Sequence, residues 1–155
     1  GAVPEGVSFA DLRRGSDAEL GMSTYEPFGI AQIEPLAFGA LSVVSDACGC
    51  LGFLQQVTAE ATGPPVFVQA DFTRIDEGAP EGQDGWLAID AATRQAQERR
   101  CSQEVARGLG EALPLDADSR QRQLQAGHAV AAAMSWDQVV ATQYLPALAR
   151  LEQRL

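Results

Sequence analysis

The sequence predicts a parallel α/β sheet with crossover helices, ending in a helical tail. Three observations predict it. Short apolar segments alternate with helical ones through residues 8–69, the order that builds β-α-β units. The segment LSVVS, residues 41–45, is apolar enough to be buried on both faces, as an inner parallel strand requires. Beyond residue 90 the pattern turns helical.

Each element has its own signal. SFADLRRGS, residues 8–16, reads as a short helix with Phe9 and Leu12 on one face and Gly15 placed to stop it. AELGM, residues 18–22, reads as a strand. Residues 28–38 read as a helix, with Pro27 suited to its first turn and Gly39 to its C-terminal cap. LSVVS is the second strand, DACGCLG (46–52) a glycine-containing turn, residues 53–60 a short helix and VFVQ (66–69) the third strand. TRIDEGAPEGQDG, residues 73–85, is rich in Gly, Pro and acid and reads as a loop. Residues 91–112 form a polar helix with Val105 and Leu109 facing inward, ended by Pro114. Residues 116–133 form another, capped by Asp116 or Asp118. The last helix starts at Ser135, with Gln138 completing a capping box. Pro146 should kink or shorten it, and Trp136 at its mouth reads as a packing anchor.

Composition bounds the function. The 155 residues suffice for one domain, and 46% hydrophobic content fits a globular chain rather than a disordered one. The most apolar run, residues 37–54, is interrupted by Ser42, Ser45 and Asp46, so no membrane span is expected. GAVPEGVSF has neither a basic region nor an apolar core, so no signal peptide is expected either. Net charge is −10, and all eleven cations are arginines. That balance argues against nucleic acid as a partner. A single nucleotide is still compatible, because backbone amides can hold phosphate without lysine. Three cysteines, an odd number, suit a reducing compartment, hence a cytoplasmic protein. Cys48-Gly49-Cys50 has too few companions for zinc, with only Cys101 and His128 left and both distant, so it reads as buried thiols in a tight turn. His128 has no evident acid or nucleophile partner, and no Gly-x-Ser-x-Gly or Cys-His arrangement occurs.

The stretch TYEPFGIAQIEPLAFG, residues 24–39, carries the functional signal. Glu26 and Glu34 frame it. Ligands of parallel α/β sheets bind at the carboxyl ends of the strands. Ser23, Thr24, Tyr25 and Glu26 follow the first strand and so belong to that edge. Glu34, in the second turn of the predicted helix, should lean back toward it. Pro27 and Gly29 leave backbone amides at the helix start facing outward. The pattern describes an anion site flanked by carboxylates, and carboxylates take hydrogen bonds from a polyol. Phosphate with hydroxyls on both sides is a nucleotide-sugar.

STYEPFGIAQIEPLAFGALSVVSD, residues 23–46, resembles the signature of retaining glycosyltransferases of the two-domain GT-B class, the glycosyl transferases group 1 family. Glu26 and Glu34 match its Glu, seven residues, Glu spacing. Ser23, Phe28, Gly29, Gly39 and Val43-Val44 stand in register with it. Residues 116–151 are similar to the family's closing helices, where Ser-Trp, here Ser135-Trp136, opens the last one. The resemblance implies a Rossmann-like, GT-B nucleotide-sugar-binding domain. It implies that Glu26 contacts the donor sugar, that the backbone around Phe28, Gly29 and Ile30 touches sugar and diphosphate, and that Glu34 holds the ribose hydroxyls. Transfer would retain anomeric configuration, with no cofactor beyond the nucleotide-sugar substrate and no metal held by the protein.

The departures define the alternatives. Gly49-Cys50 stands where the family usually has Gly-Gly, and Pro35 where Ala is common. Residues 53–83 have no clear counterpart. The acceptor-binding N-terminal domain is absent, as are the Arg and Lys the family brings to the diphosphate. Arg13 and Arg14 read as solvated helix charges. The chain is therefore expected to be the later part of a C-terminal donor-binding domain, inactive alone, with a homodimer through an exposed sheet edge as a possible assembly. A non-catalytic binding or scaffold module of the same fold is the alternative. Another doubly wound enzyme with a phosphate-bearing ligand is the third reading, and the missing dinucleotide glycine fingerprint weighs against it.

Overall fold

The computed structural model describes residues 3–74 and 82–153. The chain is mixed α/β, with one three-stranded parallel sheet in the order β1-β2-β3. β1 spans Ala18–Gly21, β2 Leu41–Ser45 and β3 Phe67–Ala70. Ala18 lies opposite Leu41, and Ser42 opposite Phe67. A parallel sheet with helical crossovers between neighbours is compatible with a Rossmann-like α/β fold.

β2 sits in the middle, and all five of its residues are buried. Its side chains alternate between two cores. Val44 joins Ile33, Leu36, Cys48, Cys50, Leu51, Leu54, Val66 and Val130 on one face. Val43 joins Ala70, Cys101 and Val105 on the other. The two serines of this buried strand are hydrogen-bonded. Ser42 Oγ donates to the Gln32 carbonyl at 2.6 Å, and Ser45 Oγ accepts from the Ala47 amide at 3.0 Å.

The helices close both faces. α1 (Phe9–Arg14) is capped by Ser8 and Asp11, each side chain accepting the other's amide. α2 (Cys50–Thr58) begins three residues earlier than the expected 53, because Cys50, Leu51 and Leu54 bury one face from its first turn. α3 spans Gly82–Leu87. The predicted loop 73–85 is thus helical from Gly82, while its residues 75–81 lie outside the described residues. α4 (Ala91–Ala112) buries Cys101 and Val105 and is capped by Asp90. α5 (Ala117–Ala133) is capped by Asp116.

The segment expected as one α-helix over 28–38 is instead two 3-10 turns, Ile30–Gln32 and Glu34–Phe38. Pro35 is the physical reason. An α-helix would bond the amide of residue 35 to the Ala31 carbonyl, and proline has no such amide. Arg13 Nη2 donates to that carbonyl instead, at 3.3 Å.

The last helix also departs from expectation. α6 (Trp136–Val139) passes through a π turn, Val140–Tyr144, into α7 (Leu145–Glu152). Pro146 does not shorten it, and the distortion expected of it takes the form of this π turn just before the proline. The wider turn lets the Leu145 amide reach the Val140 carbonyl just before the proline removes a donor. Trp136 is 81% exposed, so it is not the packing anchor its position suggested. No helix among the described residues is long and apolar enough to cross a membrane.

Candidate functional site

The loop after β1 is stitched to the turn after β2. The Glu26 amide donates to the Ala47 carbonyl at 3.3 Å, and the Gly49 amide to the Glu26 carbonyl at 3.0 Å. Glu26 and Cys48 thereby form an isolated parallel bridge beyond the sheet. The Cys50 amide donates to the Phe28 carbonyl at 2.6 Å, and Cys48 Sγ to the same oxygen at 3.0 Å. The strap Glu26-Pro27-Phe28 is thus fixed at the carboxyl end of the parallel strands.

Two glycines make the approach possible. A Cβ on Gly49 would stand 2.0 Å from the Pro27 carbonyl oxygen. Gly29 has φ 90°, and its Cβ would meet Cys48 Sγ and Gln32 Oε1, each at 2.5 Å. Of the Gly49-Cys50 pair, only the first position needs glycine. Cys50, at the second, starts α2 with its side chain fully buried.

The strap leaves donors free. The amides of Phe28, Gly29 and Ile30 donate to no described residue. Phe28 and Ile30 are exposed, Glu26 is half-buried and Gly29 is buried. Phe28 leans on Phe53, ring centroids 6.5 Å apart. Behind the strap, Gln32 Nε2 donates to Ser23 Oγ at 3.2 Å. Cys48 and Cys50 place their sulfurs 3.3 Å apart. Burial, and next the neighbouring Cys48 thiol, push the Cys50 thiol up to about 12, so it stays protonated and unreactive at neutral pH. Among the described residues no three His, Cys, Asp or Glu side chains cluster as a metal site would require.

Glu34 sits elsewhere on the molecule's edge, against α1. Its Oε2 accepts from Arg13 Nη1 at 2.6 Å, and its side chain stays 52% exposed. Arg13 is the residue that sequence reasoning misjudged: it is 7% exposed, not solvated. It grips three elements at once, through Glu34, the Ala31 carbonyl and Glu19 of β1. Arg13 Nε lies 3.3 Å from Glu19 Oε1, close enough to pair as charges but not aligned as a hydrogen bond. Arg14, as expected, is exposed, and it pairs with Asp11. Glu34 lines a cleft of about 460 Å³ with Phe9, Arg13, Ala37, Phe38 and Met134.

The structure therefore brings Glu26, Phe28, Gly29 and Ile30 together in one strap and sets Glu34 in a cleft that none of them lines. Arg13 and Gln32 are supporting residues whose roles the sequence did not give, while Cys48 is the buried turn thiol that it did. For Arg13 one signal existed: a proline inside a predicted helix leaves a carbonyl that something must satisfy. Comparison with family models, curated proteins and solved structures finds no match to this chain.

Proposed function

We propose that this chain supplies the donor side of a retaining glycosyltransferase and binds a nucleoside-diphosphate sugar at the carboxyl end of its sheet. One observation supports the reading: the strap that follows Glu26, bridged there to Cys48, carries three amides, of Phe28, Gly29 and Ile30, that donate to no described residue. Free amides at a strand's carboxyl end suit phosphate, and a carboxylate suits sugar hydroxyls. Glu26 takes the donor sugar, the backbone of Phe28, Gly29 and Ile30 the diphosphate, and Glu34 the ribose diol. The chain contains no lysine to add charge at the diphosphate, so alone it binds donor without transferring it.

A second reading, a non-catalytic module that kept the fold, has one observation in its favour. Glu34 is engaged by Arg13 in a cleft that Glu26 does not line.

Ligand-observed NMR with UDP, ADP and GDP separates the two. The expected result is saturation transfer to the ribose of one nucleotide. Glu34→Ala should weaken that nucleotide's binding about tenfold, as loss of a charge-assisted hydrogen bond does. Glu26→Ala should spare the nucleotide and weaken only the nucleotide-sugar. Equal effects on free nucleotide would sink the role assignment. No transfer from a folded sample would leave the non-catalytic module standing.

A further inference from the structure

We infer that the polar pocket between β1 and the first 3-10 turn binds a neutral carboxamide group, held by Arg13, Glu19 and Gln32. The inference does not rest on the proposed donor role.

The pocket has a volume of about 330 Å³, and these three residues line it with Leu20, Met22 and Ala31. That is the scale of a small-molecule site and too large for a single water. Three side-chain atoms of its lining residues lack a hydrogen bond among the described residues: Arg13 Nε, Glu19 Oε1 and Gln32 Oε1. All three are buried, and Arg13 and Gln32 as whole residues are 7% and 8% exposed. Buried polar atoms cost stability until something partners them. Arg13 Nε and Glu19 Oε1 pair as charges at 3.3 Å without aligning, so an entering group can serve each of them.

Gln32 is seated for such a role. A Cβ on Gly21 would stand 2.3 Å from Gln32 Cγ, and one on Gly29 would stand 2.5 Å from Gln32 Oε1. Two glycines thus make room for one buried amide. Its Nε2 donates to Ser23 Oγ, and its backbone carbonyl accepts from Ser42 Oγ. The side chain is ordered before any ligand arrives, which lowers the cost of binding.

The three atoms select the ligand. They are one donor and two acceptors. A primary carboxamide is their complement: its carbonyl takes the Arg13 N–H, and its two N–H groups go to Glu19 and Gln32. The match survives a turn of the Gln32 amide, because a carbonyl oxygen can accept twice. Charge narrows the choice further. An anion would meet Glu19 and a cation would meet Arg13, so a neutral group fits best. The carboxamide also carries its donors and acceptor on one rigid plane, with no rotor to freeze.

The test is an NMR titration of the ¹⁵N-labelled chain with acetamide, beside acetate, N,N-dimethylacetamide and glycerol. The expected result is saturable shifts at Gly21, Ser23 and Gln32 with acetamide alone. Glu19→Gln keeps the shape of a partly exposed side chain, so the fold should survive. It should weaken acetamide about fivefold, the loss of charge assistance on one hydrogen bond. Gln32→Met keeps a similar volume and should weaken acetamide at least as much. A Gly-Asn-Gly tripeptide bound more tightly than acetamide would support a polypeptide side chain as the source of the amide, and equal binding would support a small molecule. Equal binding of dimethylacetamide would mean that the donors are not read and would overturn the inference. Tighter binding of glycerol, shifts that neither variant alters, or no saturable shift from acetamide would overturn it too. Glu19→Gln should leave nucleotide binding unchanged, which keeps a failure here separate from a failure of the donor site.

Discussion

Arg13 shows how one side chain can decide the shape of a site. The proline at position 35 withholds a donor from the Ala31 carbonyl, and a buried guanidinium supplies it from α1. Burying that cation is tolerable because two carboxylates face it, Glu34 and Glu19. Asp46 does comparable work at the far end of β2. Its carboxylate accepts the Phe72 amide at 2.8 Å and the Thr73 amide at 3.0 Å, and also the Thr73 hydroxyl. Burial alone would push its carboxyl up. The Thr73 hydroxyl and the two amides together outweigh that and hold it below the usual aspartate value. A carboxylate whose folded pKa is depressed stabilises above its unfolded value, about 3.9, and that stability is lost as pH falls through the folded value. Asp46→Asn should therefore lower the urea midpoint at pH 7 and lose less than wild type between pH 4 and pH 2. Parallel acid losses in both proteins would show that these bonds do not set the acid limit.

At the scale of elements, α5 and the second 3-10 turn form the closest contact in the helical layer. Gly127 permits it: a Cβ there would lie 2.3 Å from the Leu36 carbonyl oxygen. Backbone cannot yield as a flexible side chain can, so Gly127→Ala should destabilise the fold by about 1–3 kcal/mol, the range for overpacked cores. An unchanged denaturation midpoint would mean that α5 can slide off the turn. The elements themselves were largely legible. β2 announced itself through LSVVS, α4 through the inward Val105 and Leu109, and α5 through its Asp116 cap. The segment after Pro27 was not, because its spacing fits an α-helix until Pro35, and what a chain does with an orphaned carbonyl depends on a distant arginine. The start of α2 was missed for a related reason. Cys50 and Leu51 look like turn residues beside two glycines until the core of β2 claims them.

For the whole molecule, the last helix keeps much of its apolar surface in solvent. α7 continues directly from the π turn that precedes it, and Trp136, Tyr144, Leu145 and Leu151 are exposed. Trp136→Ala should shift stability by less than about 0.5 kcal/mol, as changes at exposed sites do. A drop of several degrees in the melting temperature would show that the indole is packed in solution.

The sequence by itself determined the order of the strands and helices, the inner position of β2, and the gathering of Glu26, Phe28, Gly29 and Ile30 at one sheet edge. Those features follow from local spacing, chain order and backbone needs, which are written in consecutive residues. Only the tertiary structure decided where Glu34 points, that Arg13 is buried and Trp136 is not, and that a cysteine can stand at position 50. Each of these depends on which residues, remote in sequence, fill the adjoining space, and no local pattern encodes that.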